Sequence, residues 1–248
     1  MLKKRIIPCL DIFDGKVVKG KKFRNLTTIG NPIDLARKYE KSGADELIVL
    51  DISASCEDRE PQYGLINSIA NEISIPLTVG GGIKTVENIR KILACGADRV
   101  SINSAAVINP DIIKDASNEF GKQCIVASVD ASNNNIFVRS GGEKTNLNFI
   151  EWAKRCEELG AGELLFTSIN SDGIKNGYDI NSLRLLTQNL NIPIIASGGC
   201  GSIDDIIEIF KKTNCDAALV ASLLHFELTD ILEIKKRMRQ EGIPCRMI

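Results

Sequence analysis

The amino-acid sequence predicts an α/β protein of the (β/α)8 TIM-barrel class, and three observations carry that expectation. Eight short apolar runs alternate with amphipathic segments, the chain is 248 residues long, and its second half repeats its first. About 250 residues is the ordinary size of such a barrel. Apolar strands separated by helices belong to a parallel sheet buried on both faces. An open doubly wound sheet shares that alternation; the repeat favours the closed ring.

The first four strands are expected at RIIPCLD (5–11), ELIVLD (46–51), PLTVG (76–80) and RVSIN (99–103). The last four are expected at CIVASVD (124–130), ELLFTSI (163–169), PIIAS (193–197) and AALVAS (217–222). Apolar residues at i, i+3, i+4 and i+7 predict helices over 31–43, 63–73, 85–96 and 110–121, then over 148–160, 179–190, 202–213 and 228–242. Gly43, Gly96, Gly121 and Gly160 stand where helices end, as C-terminal glycines do.

The repeat is visible by eye. GADELIVLDISAS (43–55) aligns with GAGELLFTSINSD (160–172), and IPLTVGGGIKTVENI with IPIIASGGCGSIDDI, both at an offset of 117. GADRVSINSAAV aligns with NCDAALVASLLH at an offset of 118. Asp11 and Asp130 end equivalent strands 119 residues apart. Two four-stranded halves, approximately 1–120 and 121–248, make one barrel domain over 1–248, since no linker-like composition marks the midpoint.

A net charge of −1 with 25% charged residues argues against nucleic-acid or membrane-surface roles, which rest on a basic excess. The basic clusters Lys3-Lys4-Arg5 and Lys19, Lys21, Lys22, Arg24 read as solvated faces. Eight cysteines scattered without a C-x-x-C pair, and a single histidine, fit neither a disulfide framework nor structural zinc. No metal and no cofactor is expected; the thiols read as mostly reduced, in a cytoplasmic protein. The N-terminus lacks the apolar core of a signal peptide, and no run approaches a membrane span.

Gly80-Gly81-Gly82 and Gly198-Gly199 fall after strands, each just ahead of a helix, at equivalent places in the two halves. Missing side chains let backbone N–H groups approach a ligand, and helix N-termini favour anions, phosphate above all. Asn103-Ser104 and Ala221-Ser222 follow the next strand in each half, and SDGI (171–174) adds Gly173 to the second cluster. One such turn is explained as well by tight packing; two symmetric copies point to a ligand with a phosphate at each end. Asp11 and Asp130 then face each other across the barrel mouth, where two carboxylates in different environments serve as acid and base. A lone aspartate in such a place more often caps a loop or orients a lysine. His225, within LLHFEL, reads as a packed or capping residue.

RIIPCLDIFDGKVVKG, DELIVLDISAS, TVGGGI, GADRVSIN, GAGELLFTSI, GYD and IIASGG together resemble the cyclase subunits of imidazole glycerol phosphate synthase, nearly end to end and in register. The resemblance implies a lyase-type synthase of histidine biosynthesis that uses ammonia delivered by a glutaminase partner, as a heterodimer. Its substrate would be a bisphosphorylated aminoimidazole carboxamide ribonucleotide, and its products imidazole glycerol phosphate and AICAR. It implies Asp11 and Asp130 as the catalytic pair, with Lys19 on the first loop and Thr167 toward the substrate. Phosphate positions would be Gly82, Asn103 and Ser104 on one side, and Asp172, Gly173, Gly199, Ala221 and Ser222 on the other. It further implies an ammonia gate at the opposite end, formed by Arg5, Glu46, Asp98, Arg99 and Glu163, with Arg99 where the family commonly carries lysine. Such a charge ring serves equally as structural ion pairing.

Several loop positions depart from the usual pattern: Thr27, Thr28 and Asn31 in the first loop, Asn146 in place of a glycine, and Ile174 in place of a threonine. These departures keep two alternatives in view. One is a paralogue that uses glutaminase-derived ammonia to form an amidine on a surface-glycan sugar. The other is a non-catalytic scaffold that docks and activates a glutaminase. Retention of both carboxylates and both glycine clusters counts against the scaffold.

Overall fold

A computed structural model describes residues 2–21, 24–54 and 57–247, without the side chains of residues 21, 24 and 25. Lys22 and Cys56 therefore lie outside the described residues, as do the side chains of Lys21 and Arg24.

Period-2 alternation organises the strands around two cores. Along β1 (Arg5–Phe13), Ile6, Leu10 and Ile12 join the main apolar cluster, while Ile7 and Cys9 belong to a smaller one. Successive side chains of a strand point to opposite faces, so the first set faces the helices and the second fills the barrel interior. Hairpin strands β2 (Lys16–Lys21) and β3 (Arg24–Gly30) follow, then α1 (Pro32–Lys41), β4 (Leu47–Asp51) and α2 (Tyr63–Ala70). Next come β5 (Leu77–Gly80), α3 (Val86–Ala94), β6 (Arg99–Ile102) and the helices α4 (Ser104–Ile108) and α5 (Asp111–Phe120).

The second half has the same plan. β7 (Ile125–Ser132) leads into the hairpin strands β8 (Asn135–Val138) and β9 (Glu143–Asn148), then α6 (Phe149–Glu158), β10 (Glu163–Ser168) and α7 (Ile180–Asn189). The remaining elements are β11 (Ile194–Ser197), α8 (Ile203–Lys212), β12 (Ala217–Val220), α9 (Ser222–His225) and α10 (Ile231–Gln240). Parallel pairing runs β1-β4-β5-β6-β7 and β10-β11-β12-β1, and β7 pairs β10 in register Asp130↔Thr167, closing the ring. The predicted barrel is thus observed, with β1 and β7 on opposite sides.

The halves match down to their caps. Asn31 and Asn148 each accept two backbone N–H groups at the start of α1 and α6. Thr85 and Ser202 each form a capping box at the start of α3 and α8, the reciprocal arrangement that satisfies two otherwise orphaned donors. Gly43, Gly96, Gly121 and Gly160 all have positive φ where their helices end.

The first and fifth strands were expected to stop at Asp11 and Asp130, yet β1 and β7 run two residues further because the chain folds straight back into hairpins. The turns are Asp14-Gly15 and Asn133-Asn134, all four residues at positive φ and 119 positions apart. Two-residue turns of that hand match the twist of the strands they join. The sequence reading also passed over the short helices α4 and α9. The seven described cysteines are free, and among the described residues no helix is long and apolar enough to cross a membrane.

Candidate active site

At the mouth of the ring the inward positions turn from apolar to polar. The β1 hairpin sets Asp11 opposite Val18, which folds Lys19 back so that its Nζ lies 2.9 Å from Asp11 Oδ2 and 3.8 Å from Asp172 Oδ1. Burial alone would lower the Lys19 pKa, but the Asp11 and Asp172 charges outweigh it and hold the ammonium above its ordinary value. Beneath it, Cys9 Sγ donates to Asp11 Oδ1 at 3.6 Å.

Among the described residues, Asp130 has no such ion pair. Its Oδ2 accepts from Asn103 Nδ2 at 2.8 Å. Burial pushes its carboxyl up to about 7, and the hydrogen bonds from Asn103 and Thr167 oppose that rise without cancelling it. Asp172 is raised as well, chiefly by burial, with Lys19 pulling it back. The two aspartates thus face one space from opposite strands in different electrostatic settings.

The glycine loops flank this pair. Gly81 and Gly82 have φ of 99° and 71°, and Gly198 and Gly199 of 87° and 107°. A Cβ on Gly81 would stand 2.2 Å from Asp51 O, and one on Gly199 2.0 Å from Gly177 O. Only glycine fits so close to another backbone in that conformation. Asn103 (φ −117°, ψ −85°) and Ala221 (φ −123°, ψ −77°) repeat one unusual backbone bend, 118 residues apart, just before Ser104 and Ser222.

Asp11, Asp130, Lys19, Gly82, Asn103, Ser104, Thr167, Asp172, Gly173, Gly199, Ala221 and Ser222 all line one cleft of about 1090 Å³, its open mouth included. Asn103 holds more than its predicted place. Its amide N–H groups go to Asp130 and to Phe137 O (3.3 Å), leaving Oδ1 buried with no partner among the described residues.

Of the five residues expected at the far end, four come together. Arg5 pairs with Glu46 (2.9 Å) and with Glu163, and Arg99 NH1 lies 3.1 Å from Glu46 and 2.7 Å from Glu163. Thr78 Oγ1 donates to Glu46 at 2.7 Å. Asp98 stands apart: it is exposed, and its carboxylate accepts the Leu77 N–H at 2.8 Å. Asp216 does the same for Ile194 N–H and Asp45 for Ile6 N–H, so the position is explained by satisfying a donor near a strand's start.

The departures in the loops have local explanations. Asn31 caps α1, Thr27 and Thr28 pair with Lys19 and Val18 in the first hairpin, Asn146 lies in β9, and Ile174 is exposed at the rim. Sequence reasoning missed Ser140, whose hydroxyl donates to Ile52 O at 2.8 Å from the tip of the second hairpin and which lines the cleft. It also missed Arg59, which grips Asp51 with two 2.7 Å contacts behind Gly81. His225 is a packed residue as expected, its Nδ1 2.6 Å from Tyr39 Oη.

Fold and cleft define a class: a two-halved (β/α)8 barrel with paired carboxylates and duplicated glycine loops at the C-terminal ends of its strands. Residues 5–230 match the family described as histidine biosynthesis protein. The chain is 53% identical over 254 residues to imidazole glycerol phosphate synthase subunit HisF of Lactococcus lactis subsp. cremoris (strain SK11), covering 100% of this chain and 98% of the relative. It is 47% identical over 253 residues to that of Clostridium botulinum (strain Langeland) and 46% over 272 to that of Methanococcus vannielii, with full coverage of both chains in each case. The chain belongs to this histidine-biosynthesis family, among the imidazole glycerol phosphate synthase cyclase subunits, and is an enzyme.

Proposed function

We propose that the chain converts the bisphosphorylated aminoimidazole carboxamide ribonucleotide intermediate and ammonia into imidazole glycerol phosphate and AICAR, with loss of water. The observation that carries this reading is the contrast between Asp11, ion-paired to Lys19, and Asp130, pushed up to about 7 by burial. A carboxyl that holds its proton about half the time at neutral pH suits a general acid, and one ion-paired to a lysine suits a base. The substrate's two phosphates sit at the Gly82–Ser104 and Gly173–Gly199–Ser222 loops, which places its reacting middle between the aspartates.

Ammonia comes from a glutaminase subunit bound over the opposite face, passing the Arg5–Glu46–Arg99–Glu163 tetrad. The halves 1–120 and 121–248 form one domain that works in the cytoplasm. Identity of 46–53% to synthase subunits favours this reaction over the surface-sugar and scaffold alternatives.

The test is turnover of the bisphosphorylated intermediate with an ammonium salt, expected for the wild type and abolished in Asp130→Asn. A wild type that is inert with the intermediate yet still stimulates a glutaminase would overturn the reading.

A further inference from the structure

Each half of the ring sends its hairpin across the mouth onto the other half. From the first half, Lys19 on β2 approaches Asp172 in the loop after β10. From the second half, the β8–β9 tip reaches loops of the first: Arg139 N–H donates to Ser104 Oγ at 2.9 Å, and Ser140 Oγ donates to Ile52 O at 2.8 Å. Arg139, Ser140 and Gly141 have φ of 52°, 53° and 77°. For two non-glycine residues in succession that backbone is unfavourable, and it persists only where surrounding contacts over-determine it.

A serine hydroxyl has one proton to give and two lone pairs to receive with. The Arg139 N–H occupies a lone pair of Ser104, and among the described residues no acceptor takes the Ser104 proton. Ser104 lines the cleft beside Gly82, so its O–H is left to donate to a ligand there. Ser222, its counterpart in the second half, receives no such N–H among the described residues.

We propose that Ser140 is a positioning residue for the first anion loop. Its hydrogen bond to Ile52 pins the hairpin so that Arg139 N–H orients the Ser104 hydroxyl toward a phosphate oxygen. The inference rests on the phosphate reading of the glycine loops. It adds that the two ends of the ligand are read unequally, the first only with help from the opposite half.

Titration with inorganic phosphate, followed by the amide resonances of Gly82 and Gly199, reads each loop separately. The variants are Ser140→Gly, Ser140→Asn, Ser104→Ala and the Ser140→Gly/Ser104→Ala pair. Glycine and asparagine both accept a positive φ, so these chains keep the hairpin backbone. Ser140→Gly is expected to weaken phosphate at the Gly82 loop about 5–10-fold, the loss of about one hydrogen bond, and to leave the Gly199 loop unchanged. Ser140→Asn, which can still donate to Ile52, restores binding, and Ser140→Gly adds nothing further in the Ser104→Ala background. A wild type that binds phosphate at neither loop sinks the anion reading and the latch with it. Binding at both loops with Ser140→Gly unaltered, or penalties that add in the pair, overturns the latch alone.

Discussion

Lys19 Nζ stands 2.9 Å from Asp11 Oδ2, and the same ammonium lies 3.8 Å from Asp172, so one cation from the first half serves a carboxylate in each half. Removing it leaves two buried acids facing each other unneutralised. Lys19→Met should lower turnover with ammonium salt by at least ~100-fold, a loss on the scale of a general acid–base contribution. Asp172 should titrate still higher. Carboxylate resonances followed against pH check the second point.

Asp130 and His225 bias stability in opposite directions over nearly the same pH range. Asp130 is raised from 3.8 to about 7, so between those values the folded state holds the proton more tightly and stability falls as pH rises. His225 is lowered from 6.5 to about 4, chiefly by burial. Over that range the unfolded chain binds the proton instead, and stability rises with pH. The wild type should therefore show a shallow net slope from these two groups between pH 4 and 6.5. Asp130→Asn should expose a rising limb and gain on the order of 2–4 kcal/mol at pH 8, while His225→Gln should expose a falling one. Urea unfolding at several pH values measures both; parallel curves for the three proteins would sink the assignment.

Breaking the tetrad at the far end should cost more than losing the carboxylate beside it. Glu46 is buried and meets both Arg5 and Arg99; Glu46→Ala leaves these two cations, each about a quarter exposed, sharing Glu163 alone. A loss of ~2–3 kcal/mol is expected after allowing for that exposure, or roughly 5–10 °C in Tm. Asp98→Ala removes one acceptor for Leu77 N–H and should cost about 1 kcal/mol. Thermal unfolding of the two variants side by side tests the ranking.

The duplicated loops make equal demands on glycine. Gly81→Ala and Gly199→Ala each place a Cβ within 2.2 Å of backbone oxygen, which no side-chain adjustment relieves. Each should lose ~1–3 kcal/mol from conformation alone, and each should abolish phosphate uptake at its own loop while sparing the other. Equal loss at both loops from either variant would contradict two separate sites.

Most of this was legible before any coordinates. Period-2 and helical patterning located eight ring strands and eight helices, and the offsets of 117–119 placed Asp11 opposite Asp130. The hairpins were missed although Asp14-Gly15 is a recognised two-residue turn signal; the strand that follows it turns polar after Val18. Asn133-Asn134 and the short helices α4 and α9 offer still less periodicity. Asp98 was misplaced because a ring of charges in sequence does not say which carboxylates turn inward and which answer a neighbouring amide. Ser140 was out of reach for another reason: its partners, Ile52 and, through Arg139, Ser104, belong to the other half of the chain.

The reciprocal hairpins bear on how such a protein could have arisen from a shorter ancestor. A fragment carrying only one set of four strands would own an anion loop but not the arm that reaches it. Two copies would have had to associate, each lending its arm to its twin, before fusion made the exchange permanent. The present chain keeps that borrowing, so cutting it between strands β6 and β7 should yield pieces in which the Gly82 loop recovers phosphate binding only when the two are mixed.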